Sequence, residues 1–104
     1  KFSSFSFTDE KTKETMQNIY KKSEYISDPH GAVGYLGLEK YGLQENEYGV
    51  FLETAHPVKF LDVVEEALPV KVEIPTQIQK VIHKEKVAIK ASTYKDLKAF
   101  LMKN

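Results

Sequence analysis

The feature that most constrains this chain is a short apolar run, residues 48–52, between two polar segments. A nearly unbroken apolar run of this length is typical of a β-strand that is buried on both faces. It is followed by residues 53–57 (ETAHP) and then by apolar residues at helical spacing from Phe60 to Leu68. Strand, short turn and helix form the repeating unit of a parallel sheet. The run therefore predicts an α/β fold.

End signals and apolar spacing predict four or five helices. Thr8 is a good N-cap for a helix over residues 9–22, with acidic residues in its first turn. Asp28, followed by Pro29, is expected to begin a second helix. The remaining helices are predicted to follow Pro57, Pro75 and either Ser92 or Thr93.

Three other segments have the pattern of strands. Residues 3–7 alternate serine and phenylalanine, residues 70–74 are predicted to be extended, and residues 86–90 could form an edge strand or an extended arm. So few strands barely make a core. We therefore expect a partial parallel or mixed sheet of two to four short strands, covered by four or five helices. It would belong to a larger three-layer αβα domain, and residues 1–104 would be one fragment of it.

The net charge of zero hides an asymmetry. Residues 1–69 hold 7 Lys and 12 acidic residues, whereas residues 70–104 hold 8 Lys and 3 acidic residues. Residues 86–104 are expected to form a basic C-terminal arm and helix. All 15 basic residues are Lys, and the Arg side chains that usually grip phosphate or guanine are absent. The composition therefore argues against a nucleic-acid partner.

Composition also limits the compartment and the chemistry. No apolar run approaches the roughly 18 residues of a membrane-spanning helix, so no membrane partner is expected. The chain has no cysteine, which excludes disulfides and thiolate chemistry. It begins Lys-Phe-Ser-Ser, without a signal peptide pattern, so we expect a cytoplasmic protein cut from a longer chain.

Two histidines are candidate functional residues, because His30 and His56 each adjoin a proline at the start of a predicted helix. Ligands bind near such turns in open α/β sheets. With Asp28 they could form a two-His, one-carboxylate iron site, but the ligand set is incomplete, so no metal is predicted. Asp28 and Glu53 could form a carboxylate pair, although Asp28 is better explained as a helix cap.

Three glycines recur in the second predicted helix, at Gly31, Gly34 and Gly37. Each costs about 1 kcal/mol in a helix relative to alanine. Their spacing indicates that something approaches the helix backbone closely. It could be a neighbouring strand or a ligand, and simple packing is the favoured explanation.

Two motifs carry a family resemblance: residues 28–34 (DPHGAVG) and residues 53–60 (ETAHPVKF). Their order and spacing resemble DPHTAVG and TAHPAKF in the C-terminal region of threonine synthases, with Gly31 and Val58 in place of the usual Thr and Ala. The resemblance implies a fold-type-II pyridoxal-phosphate enzyme that converts O-phospho-L-homoserine and water to L-threonine and phosphate. Its Schiff-base lysine and phosphate-binding loop would lie upstream, so no residue here is predicted to be catalytic.

One cofactor contact is implied by the resemblance. Thr54 would lie at the pyridine nitrogen of the cofactor, where a hydroxyl forms only a neutral hydrogen bond. The alternative is that Thr54 caps the helix after Pro57. His56 could line the site or brace the turn by hydrogen bonds, and Asp28 and His30 would hold the helix entry beside it.

The resemblance also predicts partners. They are the upstream part of the same enzyme and a small amino-acid phosphate, and the fragment alone would be inactive and prone to self-association. Two other interpretations stay open. The chain could be a self-standing α/β module that binds a small anion or a protein, or an interaction domain with a basic tail that binds polyanions.

Overall fold

Five α-helices and one 3₁₀ turn make up the regular secondary structure of residues 2–103, which the computed structural model describes. The helices are α1 (Asp9–Ser23), α2 (Pro29–Tyr41), α3 (Leu61–Ala67), α4 (Thr76–Gln79) and α5 (Tyr94–Met102), and the 3₁₀ turn is Pro57–Phe60. None of these helices combines the length and the apolar composition that crossing a membrane requires.

The expected sheet is wrong, because no residue between 2 and 103 belongs to a β-strand. The four segments predicted as strands, residues 3–7, 48–52, 70–74 and 86–90, are neither helical nor paired with one another. An alternating or apolar sequence favours an extended backbone, but a strand also needs a second backbone to bond with. The fold of the described residues is therefore helical, not α/β.

The apolar run 48–52 is not buried on both faces. The side chains of Tyr48, Val50 and Leu52 are 97%, 80% and 77% exposed. From Val50 to Pro57 the chain alternates between exposed and partly buried residues. This two-residue period is that of an extended chain with one face turned inward.

Three of the predicted helix starts are confirmed. Thr8 caps α1 by accepting a hydrogen bond from the backbone N–H of Lys11 at 3.3 Å, and Asp28 caps α2. Thr93 caps α5 in a capping box, in which its side chain and that of Asp96 each accept from the other's backbone N–H. Each of these helices thus begins where a side chain accepts a hydrogen bond from one of its free N–H groups.

Residues 2–103 divide into two units, the first ending at Ile74 and the second beginning at Pro75. In the first unit α1 packs against α2 and α3. Gln17 on α1 donates to the backbone carbonyl of Ala67 at 2.9 Å, and Lys13 pairs with Glu66 at 2.7 Å. The buried apolar side chains of this unit are Met16, Ile19, Ala32, Leu36, Val58, Val64, Ala67, Leu68 and Val72.

The second unit contains α4 and α5. The helix α5 lies within the predicted basic arm, residues 86–104. The assignment of that arm, and of residues 1–104 to one fragment of a larger domain, stays a prediction.

Candidate functional site

The site is organised around Asp28, a fully buried carboxyl group at the start of α2. Its Oδ1 atom accepts a hydrogen bond from the backbone N–H of His30 at 2.7 Å and lies 2.9 Å from the His30 ring atom Nδ1. A carboxylate can only accept, so Nδ1 donates in this pair. The predicted cap therefore also orients the imidazole of His30, which packs on the ring of Phe60 at 4.9 Å between centroids.

Two glycines of α2, Gly31 and Gly34, contact the segment 50–57. A Cβ atom on Gly31 would overlap the carboxyl group of Glu53, and one on Gly34 would lie 3.4 Å from the Cβ of Phe51. A Cβ on Gly37 would meet no other group. The close approach indicated by the sequence is thus a packed side chain at Gly31, ordinary contact at Gly34, and no contact at Gly37.

Glu53 and Asp28 form a buried carboxyl pair with too few donors. Among residues 2–103, Asp28 Oδ2 and both Glu53 oxygens are buried without a hydrogen-bond donor. Burial, followed by contact with the Asp28 carboxyl and its charge, raises the pKa of Glu53 to about 7. Burial also raises the pKa of Asp28, but bonding with Glu53 and His30 holds that pKa below its usual range. Near neutral pH the pair therefore tends to hold one proton.

Tyr25 lies close enough to this pair for the two carboxyl groups to affect the pKa of its hydroxyl. Burial, and then the charges of Glu53 and Asp28, raise the pKa of its hydroxyl. The sequence gives no sign of this position of Tyr25, since nothing in the local pattern around it indicates what it faces.

His56 braces the turn that follows Thr54. Its Nδ1 atom accepts a hydrogen bond from the backbone N–H of Val58 at 3.1 Å and caps the 3₁₀ turn. Because His56 occupies the N-cap position, the alternative in which Thr54 caps this turn is wrong. His56 also lines a surface hollow with Tyr25 and Pro57. The side chain of Thr54 is exposed.

The structure joins Asp28 to His30 but does not add His56 to them. Among the described residues, no three histidine, aspartate or glutamate side chains are placed to hold a metal ion. Asp28 and Glu53 are a candidate carboxylate pair from the sequence, and the structure brings these two groups together.

Comparison with known proteins identifies the family. Residues 31–101 match the family model described as "Threonine synthase, C-terminal", a span that contains Thr54 and His56 but begins after Asp28 and His30. No solved structure matches the chain.

Curated relatives give the same answer. Threonine synthase of Buchnera aphidicola is 43% identical over 74 residues, which cover 71% of this chain and 17% of the relative. The Escherichia coli enzyme is 43% identical over 70 residues, covering 67% and 16%. The Saccharomyces cerevisiae enzyme is 40% identical over 74 residues, covering 64% and 14%. The chain spans about a sixth of the length of these relatives, and its matched residues 31–101 place it in the threonine synthase family.

Proposed function

We propose that this chain is the C-terminal part of an enzyme that converts O-phospho-L-homoserine and water to L-threonine and phosphate with pyridoxal phosphate. The observation that carries the proposal is the family match over residues 31–101, which includes the segment around Thr54. The upstream part of the same enzyme would supply the lysine that carries the cofactor and the loop that binds its phosphate.

The residues around Thr54 fit the pyridine side of the cofactor. Thr54 is exposed, and its hydroxyl makes no hydrogen bond within residues 2–103. The neighbouring carboxyl group, Glu53, lies on the opposite, inward side of the extended segment against Gly31. A neutral hydroxyl, rather than a carboxylate, is therefore presented outward.

This arrangement suits the proposed reaction. Pyridoxal phosphate, when bound, supplies an electron sink whose strength depends on the group beside its ring nitrogen. The hydroxyl of Thr54 would hold that nitrogen through a neutral hydrogen bond and add no charge to it. His56 would keep the turn after Thr54 in place, and Asp28 with His30 would keep the start of α2 beside it.

The proposal is tested on the complete gene product. The coding DNA upstream of Lys1 is sequenced, the full protein is expressed, and phosphate release from O-phospho-L-homoserine is measured with pyridoxal phosphate present. We expect phosphate release together with threonine. A start codon directly before Lys1, or a full-length protein that releases no phosphate, would overturn the proposal and favour a self-standing binding module.

The role of Thr54 is tested separately in that protein. Thr54→Ser keeps the hydroxyl and is expected to keep the cofactor's absorption spectrum. Thr54→Asp places a charge beside the ring nitrogen and is expected to change the spectrum and slow phosphate release. Identical spectra for the two variants would contradict the assignment of Thr54.

A further inference from the structure

The carboxyl group of Glu53 fills the space beside Gly31 that a side chain there would need. It lies against α2 at Gly31, where any side chain would overlap it, and beside the cap residue Asp28. We propose that Glu53 is a positioning residue, whose carboxyl group shares one proton with Asp28 and so anchors the segment that carries Thr54 to the start of α2. The link to the cofactor rests on the function proposed above, whereas the anchoring does not.

The need for a proton follows from the donors available. Two carboxylates can only accept hydrogen bonds, and three of their four oxygens are buried without a donor among residues 2–103. A buried polar atom without a partner costs roughly 1–3 kcal/mol. One proton placed between the groups turns one carboxyl into a donor for the other and relieves this cost.

The proton belongs mainly to Glu53. Asp28 Oδ1 already accepts from the backbone N–H and the ring Nδ1 of His30, and these bonds favour its ionised form. Neither Glu53 oxygen accepts a hydrogen bond within residues 2–103, and the nearby backbone of Asp28 lowers the pKa of Glu53 by less than burial and the Asp28 carboxyl raise it. The opposite directions of the two pKa changes, lowered for Asp28 and raised for Glu53, agree with this division.

The surroundings of the pair contain few other titratable groups. His30, at the start of α2, is the other group whose charge bears on Glu53. Tyr25, in the segment before Asp28, has its own pKa raised by both carboxyls. Asp28 is the main electrostatic partner of Glu53, because its carboxyl group affects the pKa of Glu53 more than the charge of His30 does.

Anchoring Glu53 also determines the direction of Thr54. Exposed and partly buried residues alternate from Val50 to Pro57, so neighbouring side chains point to opposite sides. As long as Glu53 points inward, Thr54 must point outward. If Glu53 were released, the segment could rotate or slide, and the Thr54 hydroxyl would lose its fixed position.

The shared proton is tested by carbon NMR titration of the 104-residue chain with ¹³C-labelled carboxyl groups. We expect the Glu53 carboxyl to titrate near pH 7, about where its pKa lies in the structure. In the Asp28→Asn variant the midpoint should fall toward the ordinary glutamate range, because the amide donates to an ionised Glu53. A Glu53 that titrates in the ordinary range in the unmodified chain would overturn the shared proton.

The anchoring is tested with a matched pair of variants in the same chain. Glu53→Gln keeps the shape and can donate to Asp28, whereas Glu53→Ala removes the anchor. We expect the backbone amide resonances of Thr54 and His56 to shift or broaden in Glu53→Ala and to stay in place in Glu53→Gln. Unchanged resonances in Glu53→Ala would overturn the anchoring role. If the Glu53→Ala chain fails to fold, the comparison of Glu53→Gln with the unmodified chain decides.

The link to the cofactor is tested in the full-length protein. Loss of one hydrogen bond typically corresponds to about a tenfold change in affinity, so Glu53→Ala should weaken pyridoxal phosphate binding by about that factor. Glu53→Gln should restore it. If the full-length protein binds no cofactor while the NMR results hold, the proposed function fails and the anchor stands. If the cofactor binds equally well to all three proteins, the positioning role toward it is overturned.

Discussion

The carboxyl group of Glu53 occupies the space that a side chain on Gly31 would need. The two residues are 22 positions apart in the sequence, yet the size of one limits the size of the other. This contact joins the start of α2 to the segment that leads into Thr54 and the 3₁₀ turn.

Gly31→Ala should destabilise the chain, although alanine is normally the better helix residue. The added methyl group meets a confined carboxyl group, and overpacking of this kind costs roughly 1–3 kcal/mol. Gly37→Ala, in the same helix, meets no other group and should be neutral or raise the free energy of unfolding by up to about 1 kcal/mol. Urea denaturation of both variants measures the difference, and equal effects would contradict the close packing at Gly31.

The stability of the chain should fall as the pH rises from about 4.5 to about 7. Within this range the folded state keeps a proton on Glu53 that the unfolded state loses, because the folded pKa is about 7 and the unfolded one is 4.5. The loss attributable to Glu53 is on the order of 3 kcal/mol. Asp28 acts in the opposite sense, since its lowered pKa makes stability fall as the pH drops below about 3.8.

The contribution of Glu53 is isolated by comparison with Glu53→Gln, which has no proton to lose. The free energy of unfolding of both chains is measured in urea at steps between pH 4 and pH 8. We expect the difference between the two chains to change across this range in favour of the glutamine variant as the pH rises. Parallel curves would show that Glu53 has an ordinary pKa.

Met16→Ala should cost roughly 2–5 kcal/mol of unfolding free energy, the usual range for a fully buried methionine. The Met16 side chain is 0% exposed, on the face of α1 that packs into the first unit. Met102→Ala is the matched control, because Met102 is 77% exposed and surface changes usually stay within about 0.5 kcal/mol. A change in unfolding free energy as small for Met16→Ala as for Met102→Ala would contradict the burial of Met16 in the core.

The chain should self-associate through the outward side of the segment 48–52. Three large apolar side chains, Tyr48, Val50 and Leu52, are exposed within five residues, and grouped apolar side chains of this kind favour association. Val50→Lys should shift sedimentation toward the monomer. Val87→Lys changes an equally apolar and exposed residue outside this group and should have no effect. A chain that is monomeric at all concentrations would contradict this prediction.

The helices could be predicted from sequence because their end signals are local. Thr8, Asp28 and Thr93 each bond to an N–H two or three residues away, so the information needed lies within one turn. The helix predicted over residues 9–22 differs from the observed α1 by one residue at its end.

The sheet was predicted wrongly because strand formation is not local. The pattern of residues 48–52 favours an extended backbone, but it carries no information about a partner backbone. The same limit applies to the site. Asp28 and Glu53 could each be picked out, yet their proximity to each other and to Tyr25 depends on how α2 meets the segment 50–57.

The contacts of α1 also affect how the chain leaves the ribosome. Its partner α2 follows directly after residues 24–28, so the two helices can pair early. The bond from Gln17 to Ala67 must wait until 50 further residues have been made. At roughly 5–20 residues per second, this delay lasts about 3–10 s. During that time the side of α1 that receives α3 stays uncovered on the nascent chain, where chaperones can bind it.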